Sequence, residues 1–257
     1  MDRQNLTLLT DLYELTMMQG YFKNKDQNET VIFDAFYRNN PCDGGFAIAA
    51  GLDQLIQYIK ELHFEKEDID YLAGLGIFEP DFLEYLRDFR FTGDIYAIPE
   101  GTVVFPREPL VKVIAPIMQA QLVETAILNI VNHQSLIATK AARVCYAAQG
   151  DGIMEFGLRR AQGPDAGTYG ARAAVIGGCV GQAGEQVGVG GCGRGDQLVG
   201  DRAGQHVPPV GAQRERGDQP GGQGERLVAG RRRVHPLRQW QGHRPRVVVP
   251  GHRPGER

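Results

Sequence analysis

At residue 180 the composition of this chain changes completely. Ile, Phe, Tyr, Met, Lys, Asn, Ser and Thr occur 63 times up to Val180 and never after it, where the earlier rate would place about 27. The stretch 181–257 also holds 18 of the 34 glycines and 7 of the 14 prolines. A segment without Ile, Phe, Tyr or Met, and this dense in glycine, has little apolar surface to set against its chain entropy. Residues 181–257 therefore read as a Gly/Arg/Pro-rich, low-complexity tail that is disordered and does not fold alone. Charge divides at the same place: the net is −9 over 1–180 and +6 over 181–257, hidden in a total of −3.

Three readings of the tail stay open. It can be a flexible interaction tail, an Arg/Gly segment for nucleic acid, or the product of a reading frame that slipped near residue 180. The nucleic-acid reading is weakened by the lack of any Arg-Gly-Gly repeat, by seven acids, and by Trp240 standing as the only aromatic for stacking. Composition favours the frame slip, because most of the missing residue types have A/T-rich codons while Gly, Arg, Pro and Ala have G/C-rich ones. The missing Ser and Thr are not explained that way. The string Gly188–Gly193 matches G-x-G-x-x-G, yet no expected strand precedes it and no expected helix follows, so it carries no dinucleotide site.

Over the whole chain, 42% hydrophobic and 23% charged residues describe a soluble globular protein with a sizeable core. Collagen, a coiled-coil rod and a cationic nucleic-acid binder are excluded. No apolar run approaches the ~20 residues of a membrane span, so no membrane partner is expected. The polar start Met1–Asn5 lacks the marks of a secretion signal, which makes a cytoplasmic location the expectation. Cys42, Cys145, Cys179 and Cys192 form no C-x-x-C pair and have no histidine at zinc spacing, so they read as buried thiols and no metal site is expected.

Ahead of the break the pattern alternates. Asp11 and Glu14 suggest a capping box opening a helix that runs to Tyr21, with Leu12, Leu15, Thr16 and Gln19 on one face. Residues 31–38 read as a strand, with Phe33, Ala35 and Tyr37 on the side opposite Asp34, Phe36 and Arg38. Helices are predicted over 52–63, 66–74 and 80–88, the last opening at Pro80. Three short strands follow at 95–98, 102–105 and 110–115, separated by Pro- and Gly-containing turns. Residues 117–144 return to helix, in two pieces divided near Asn132 and His133. Met154–Leu158 and Ala174–Ile176 read as buried strands of a parallel sheet or barrel. The fold class is α/β: an α+β opening leading into a β/α region too short to close a barrel.

Candidate chemistry is sparse. Arg159 and Arg160 stand at the end of the expected Met154–Leu158 strand, where two guanidinium forks suit a carboxylate or phosphate. Lys140 and Arg143 lie three apart on a helix and could enlarge such an anion site, although a solvated helix face is the commoner outcome. Tyr13, one turn into the first helix, can pack in the core or stack on an aromatic substrate. His133 reads as a satisfied helix histidine rather than a general base. No metal cluster, Ser-His-Asp set or Cys-His pair is visible in the sequence.

Five strings resemble nicotinate phosphoribosyltransferase, in the same order. They are Leu9–Met17, Gly44–Gly51, Glu100–Pro106, His133–Arg143 and Glu155–Asp165. The resemblance runs from residue 1 to about 180 and then ceases. It implies synthesis of nicotinate mononucleotide from nicotinate and phosphoribosyl pyrophosphate in NAD salvage, driven by ATP hydrolysis with Mg2+ on the phosphates. It also implies a cytoplasmic homodimer with its active site at the dimer interface. The domain plan would be an amino-terminal α/β domain over 1–145, the start of a truncated β/α barrel of the type II phosphoribosyltransferase kind over 146–180, and the tail over 181–257. Tyr13 then matches the tyrosine lying against the nicotinate ring. Arg159 and Arg160 match the family's basic strand end, and Lys140 joins them as a substrate-binding candidate. The family's Gly-Thr-x-Ala-His-Ser motif, with its phosphorylated histidine, occurs nowhere in the sequence, so no catalytic residue is assigned. Two other functions remain in view. One is a non-catalytic, dimerising fragment whose basic tail binds acidic partners; the other is the sister activity on nicotinamide.

Overall fold

The computed structural model describes residues 5–26, 28–180, 227–232 and 247–250. Its longest strand among the described residues is β1 (Thr30–Tyr37), which has the alternation of a strand with one face on the core: Phe33, Ala35 and Tyr37 are buried. Antiparallel to it runs β5 (Val111–Pro116), with Thr30 opposite Pro116 and Ala35 opposite Val111. On the far side of β5 lies β3 (Asp94–Ala97), whose Asp94 faces Ile114 and Ala97 faces Val111. The other face of the β1–β5 pair carries an ion pair, Lys112 Nζ to Asp34 Oδ1 at 2.6 Å, between residues directly opposite in the register.

Two segments of the tail complete this sheet. β6 (Leu227–Arg232) pairs with the free edge of β1, and β7 (Val247–Pro250) with the free edge of β3. The order is β6-β1-β5-β3-β7, antiparallel throughout. A wholly structureless tail is therefore corrected for these two segments: backbone pairing at an exposed edge asks little of side chains, so runs as plain as Leu-Val-Ala-Gly-Arg-Arg and Val-Val-Val-Pro can join a sheet without a core of their own. The remainder of 181–257 lies outside the described residues.

Helices cover the core side. They are α1 (Leu12–Lys23), α2 (Leu52–Glu61), α3 (Lys66–Gly74) and α4 (Pro80–Arg87). The capping box that forms is at α3, between Glu65 and Asp68. At α1 it does not form: Asp11 makes no side-chain cap, and Glu14 turns inward instead. The buried face of α1 is accordingly Glu14, Leu15 and Met18, while Leu12 is half exposed. One continuous apolar cluster joins these helices to the sheet, with Met18, Leu55, Leu72, Phe82, Leu86, Ile95 and Met118 at its centre. Each such side chain contributes roughly 1.5–3 kcal/mol by leaving water.

After the sheet come α5 (Ile117–Leu122) and the long α6 (Glu124–Ala147), separated at Val123. The expected division near Asn132 and His133 is absent, because Gln134, Ser135, Ala138 and Thr139 continue one buried helical face through it. Two of those polar residues replace missing strand partners. The short hairpin strands β2 (Ala47–Ile48) and β4 (Val103–Val104) pair with each other, and α6 supplies hydroxyls to the backbone beside them. Thr139 Oγ1 accepts the Ile48 N–H at 2.9 Å, and Ser135 Oγ accepts the Ala50 N–H at 3.1 Å.

The last helix, α7 (Pro164–Ile176), lies parallel to α6, so that His133 meets Ala166 at one end and Cys145 meets Cys179 at the other. Two strand expectations fail here. Ala174–Ile176 is the final turn of α7: Pro164 at its first position and Ala171, Ala173 and Ala174 along its buried side make a helix that packs closely on α6. Met154–Leu158 makes only an isolated bridge at Glu155 before a one-turn 3-10 helix at Leu158–Arg160. Cys179 is buried as expected; Cys145 is half-buried and Cys42 exposed, and Cys192 lies outside the described residues. Among the described residues no helix is long and apolar enough to cross a membrane.

Candidate functional site

Three of the five motif strings converge on β2. The Ala49 N–H donates to the Thr102 carbonyl at 2.9 Å, and the Gly101 N–H returns to the Ala49 carbonyl at 2.8 Å. Next to this pair, Glu100 Oε1 accepts from the backbone N–H of Gly51 at 2.6 Å and of Leu52 at 2.9 Å, closing the start of α2. An anion is well placed there, since the first N–H groups of a helix have no partner within it. Gly51 holds φ +103, and a Cβ there would press on the Ile130 carbonyl oxygen at 2.9 Å, so glycine is required at this junction.

Arg172, reaching across from α7, completes the cluster. Its guanidinium grips both Glu100 oxygens, at 2.9 Å and 2.6 Å, and also donates to Gln134 Oε1 at 3.0 Å. Burial pushes the Glu100 carboxyl up, but the Arg172 hydrogen bonds and charge, with the two backbone N–H groups, outweigh it and hold the pKa below the ordinary carboxylate range. A small cavity beside the cluster is lined by Ala49, Ala50, Ile98, Glu100 and Val131 among others, and by none of the four substrate-binding candidates.

Tyr13 stands elsewhere, half exposed on α1. Burial, then the charges of Glu14, Glu124 and Asp11, push its phenol up to about 12, so it stays neutral. Glu14 beneath it is fully buried, accepting hydrogen bonds from the Thr10 hydroxyl and from Thr125 Oγ1 at 3.1 Å. Desolvation dominates and, with Glu124 and Asp11 nearby, overcomes those hydrogen bonds and lifts the carboxyl to about 7. The buried Tyr58 hydroxyl close to this acid has no hydrogen-bond partner among the described residues.

Arg159 and Arg160 are exposed on the 3-10 turn, not at a strand end. Neither guanidinium has an ion-pair or hydrogen-bond partner among the described residues, and they stand just ahead of Gly163 and Pro164, where α7 begins. Lys140 is exposed on α6. Its neighbour Arg143 instead folds over Gly44 and donates to the Cys42 carbonyl at 3.3 Å, so the two cations do not form one site. His133 Nε2 lies 3.3 Å from the Ala166 carbonyl oxygen, the satisfied helix histidine of the sequence reading. Among the described residues there is no group of three or more His, Cys, Asp or Glu that could hold a metal ion.

Sequence reasoning missed Glu14 as a buried acid and missed the Arg172–Glu100 pair. Glu14 had a local signal, since it falls four before Met18 and beside Leu15 on one helical face. Arg172 had none, because its partner is 72 residues away.

Fold and site together define a protein of mixed helix and sheet, of the α+β rather than the expected α/β kind: an antiparallel sheet under helices, with a basic turn at the head of its last helix that is unpaired among the described residues. Residues 8–132 match the nicotinate phosphoribosyltransferase (NAPRTase) N-terminal domain. Over that span the chain carries the N-terminal domain of nicotinate phosphoribosyltransferase. It is 47% identical over 174 residues to nicotinate phosphoribosyltransferase of Mycobacterium tuberculosis, covering 68% of this chain and 37% of the relative. With the Bacillus subtilis enzyme of the same name the identity is 44% over 174 residues, 68% of this chain and 36% of the other. The crystal structure of human nicotinic acid phosphoribosyltransferase superposes with a TM-score of 0.65 at 36% identity, covering 70% of this chain and 37% of that one. The chain thus spans a little over a third of the length of these two curated relatives.

Proposed function

We propose that residues 1–180 are the amino-terminal portion of a nicotinate phosphoribosyltransferase of NAD salvage, an enzyme that joins nicotinate to the ribose of phosphoribosyl pyrophosphate and releases pyrophosphate. The observation that carries this reading is the length of the match. Identity of 47% over 174 residues extends well beyond the N-terminal domain at 8–132 and is nearly as long as the part that precedes the compositional break. In this reading Tyr13 offers its exposed ring to the pyridine, while Arg159 and Arg160, with Lys140 as a further cation, hold a carboxylate or phosphate. Unpaired guanidinium groups suit that task, because no internal partner must be displaced first.

The reaction also needs a group to stabilise the oxocarbenium-like ribosyl centre as pyrophosphate departs. ATP, Mg2+ and a homodimeric, cytoplasmic setting come with the family reading. The described residues hold no cluster of three or more metal-ligating side chains, and no step is assigned to the metal. The Gly-Thr-x-Ala-His-Ser string is missing from the whole sequence, and the reading accounts for this by a frame slip near residue 180. The chain as written then binds but does not turn over.

Sequencing the coding DNA across the codons for residues 170–200 tests the frame, and pyrophosphate release tests the chemistry. The expected outcome is a single inserted or deleted base whose repair restores the Gly-Thr-x-Ala-His-Ser string and nicotinate-dependent pyrophosphate release. A confirmed frame, with no nicotinate binding and a salt-sensitive affinity for polyanions, would instead establish the interaction fragment with a basic tail. Release dependent on nicotinamide rather than nicotinate would move the reading to the sister activity.

A further inference from the structure

Cys145 and Cys179 face each other at the far end of the α6–α7 pair, with their sulfurs 3.8 Å apart. Cys145 sits in the last turn of α6 and Cys179 just after the end of α7, so the two belong to different elements, 34 residues apart in sequence. The backbone places them together. Gly178 adopts φ +107, and the Cys179 N–H turns back to the Ala174 carbonyl at 3.0 Å. A Cβ on Gly178 would stand 3.6 Å from the Cys145 Cβ, which shows how closely the two chains approach. Around the thiols lie Ala141, Ala174, Ile137 and Ile153, an apolar setting.

We propose that Cys145 and Cys179 form a thiol–disulfide redox site, oxidised by low-molecular-weight disulfides of the oxidised-glutathione type. The sulfurs must close to the ~2.05 Å of a disulfide, a change that side-chain rotation can supply when the backbones already lie this near. Their accessibilities set the order of events. Cys145 is half-buried and meets the oxidant first; Cys179 is buried. The Cys145 thiolate attacks one sulfur of oxidised glutathione, forming a mixed disulfide and expelling one glutathione thiolate. Cys179, after giving its proton to water, attacks the Cys145 sulfur, and the second glutathione leaves as thiolate. Both thiolates take up protons from water. Two protein thiols are oxidised by two electrons, and one glutathione disulfide is reduced to two thiols. Burial, with the Cys145 sulfur and the Glu155 charge adding to it, raises the Cys179 thiol to about 11, so the closing step is slow and speeds up with pH. The product ties α6 to the end of α7, the helix that presents Arg172 to Glu100.

The test uses the full chain carrying Cys192→Ser, because trypsin leaves Cys179 and Cys192 on one peptide running from Ala173 to Arg194. The reduced chain is incubated with oxidised glutathione at pH 8, quenched with iodoacetamide and digested without reductant. Mass spectrometry is expected to find the Cys145 and Cys179 peptides joined, two hydrogens lighter than their sum, and a thermal midpoint several degrees above that of the reduced chain. With Cys179→Ala added, glutathione should remain on Cys145 and the midpoint shift should vanish. Glutathione retained on Cys145 while Cys179 is present, or Cys145 joined to the exposed Cys42 instead, would overturn the proposal. So would a joined pair whose midpoint equals that of the reduced chain, since the bond would then clamp nothing.

Discussion

Arg172 of α7 holds Glu100 by both of its carboxylate oxygens, and the same carboxylate receives the first N–H groups of α2. One acid therefore joins three parts of the molecule: the turn after β3, the start of α2, and the last helix. Both side chains are about four-fifths buried, which makes the pair stronger than a surface bridge and more damaging to break. Glu100→Gln should destabilise the chain by roughly 2–3 kcal/mol, read from urea unfolding, and Arg172→Met by a similar amount. The double variant should lose much less than the sum. Because the folded pKa of Glu100 is depressed, its contribution is present above the ordinary carboxylate range and is lost as pH falls through the folded value. The gap between wild type and Glu100→Gln should accordingly close in acid; a gap independent of pH would refute the assignment.

Glu14 has the opposite sign. Its carboxyl is raised from 4.5 to about 7, so between those values the folded chain keeps a proton that the unfolded chain has released. Stability contributed by this group is complete below the ordinary value and is lost as pH rises to about 7, after which it changes no further. The side chains facing it are Asp11, Tyr13, Glu124, Thr10, Thr125 and Tyr58, with no cation among the groups that shift it. Glu14→Gln stays neutral throughout. It should match the parent near pH 4 and exceed it at pH 8 by about 1–3 kcal/mol. Equal pH slopes for the two chains, measured by thermal unfolding, would show that the carboxyl ionises normally.

Two glycines separate rigid from yielding neighbours. At Gly177 a Cβ would overlap the Ala138 carbonyl oxygen and stand 2.6 Å from the Ala141 Cβ, both parts of α6 that cannot swing aside. Gly177→Ala must push the two helices apart, at about 2–4 kcal/mol. At Gly44 the obstacle is only the guanidinium end of Arg143. Gly44→Ala should lose about 1 kcal/mol or less, and nothing further once Arg143→Ala has cleared the space. A Gly44→Ala loss that persists in the Arg143→Ala background would mean that the backbone, not the arginine, sets the constraint.

Elements governed by local chemistry were legible in the sequence. Residues 66–74 are α3 to the residue, because Glu65 and Asp68 form its cap and Ile69 and Leu72 its buried face. The alternation of Phe33, Ala35 and Tyr37 likewise gave β1 its core side. Failures came where distant partners decide. Ala174–Ile176 has the β-branched look of a strand, yet α6 lies against it and the segment ends a helix. Glu14 has the sequence position of a cap residue, but Thr125, 111 residues on, gives its inward-turned carboxyl a partner. Edge pairing of 227–232 and 247–250 was illegible for the same reason, since it depends on the open sides of β1 and β3. Of the substrate-binding candidates, the basic pair was chosen by residue type alone; its setting on a turn before α7 was not legible.

That setting yields a clear separation between binding and stability. Arg159 and Arg160 are exposed and unpaired among the described residues, so alanine at either position removes no internal contact. Unfolding free energies should stay within about 0.5 kcal/mol of the parent. Each charge-assisted hydrogen bond to a phosphate or carboxylate contributes roughly 1.5–3 kcal/mol, so each loss should weaken phosphoribosyl pyrophosphate or nicotinate binding by about 10- to 100-fold. Isothermal titration at low ionic strength measures this directly. Lysine at the same positions should recover only part of the affinity, since an ammonium cannot reproduce the planar fork. Comparing the two ligands then assigns the turn. A loss confined to phosphoribosyl pyrophosphate makes it a phosphate site, and a loss confined to nicotinate makes it the partner of the pyridine carboxylate. Unchanged affinity for both would leave Arg159 and Arg160 as solvated surface and shift the anion-binding role to Lys140.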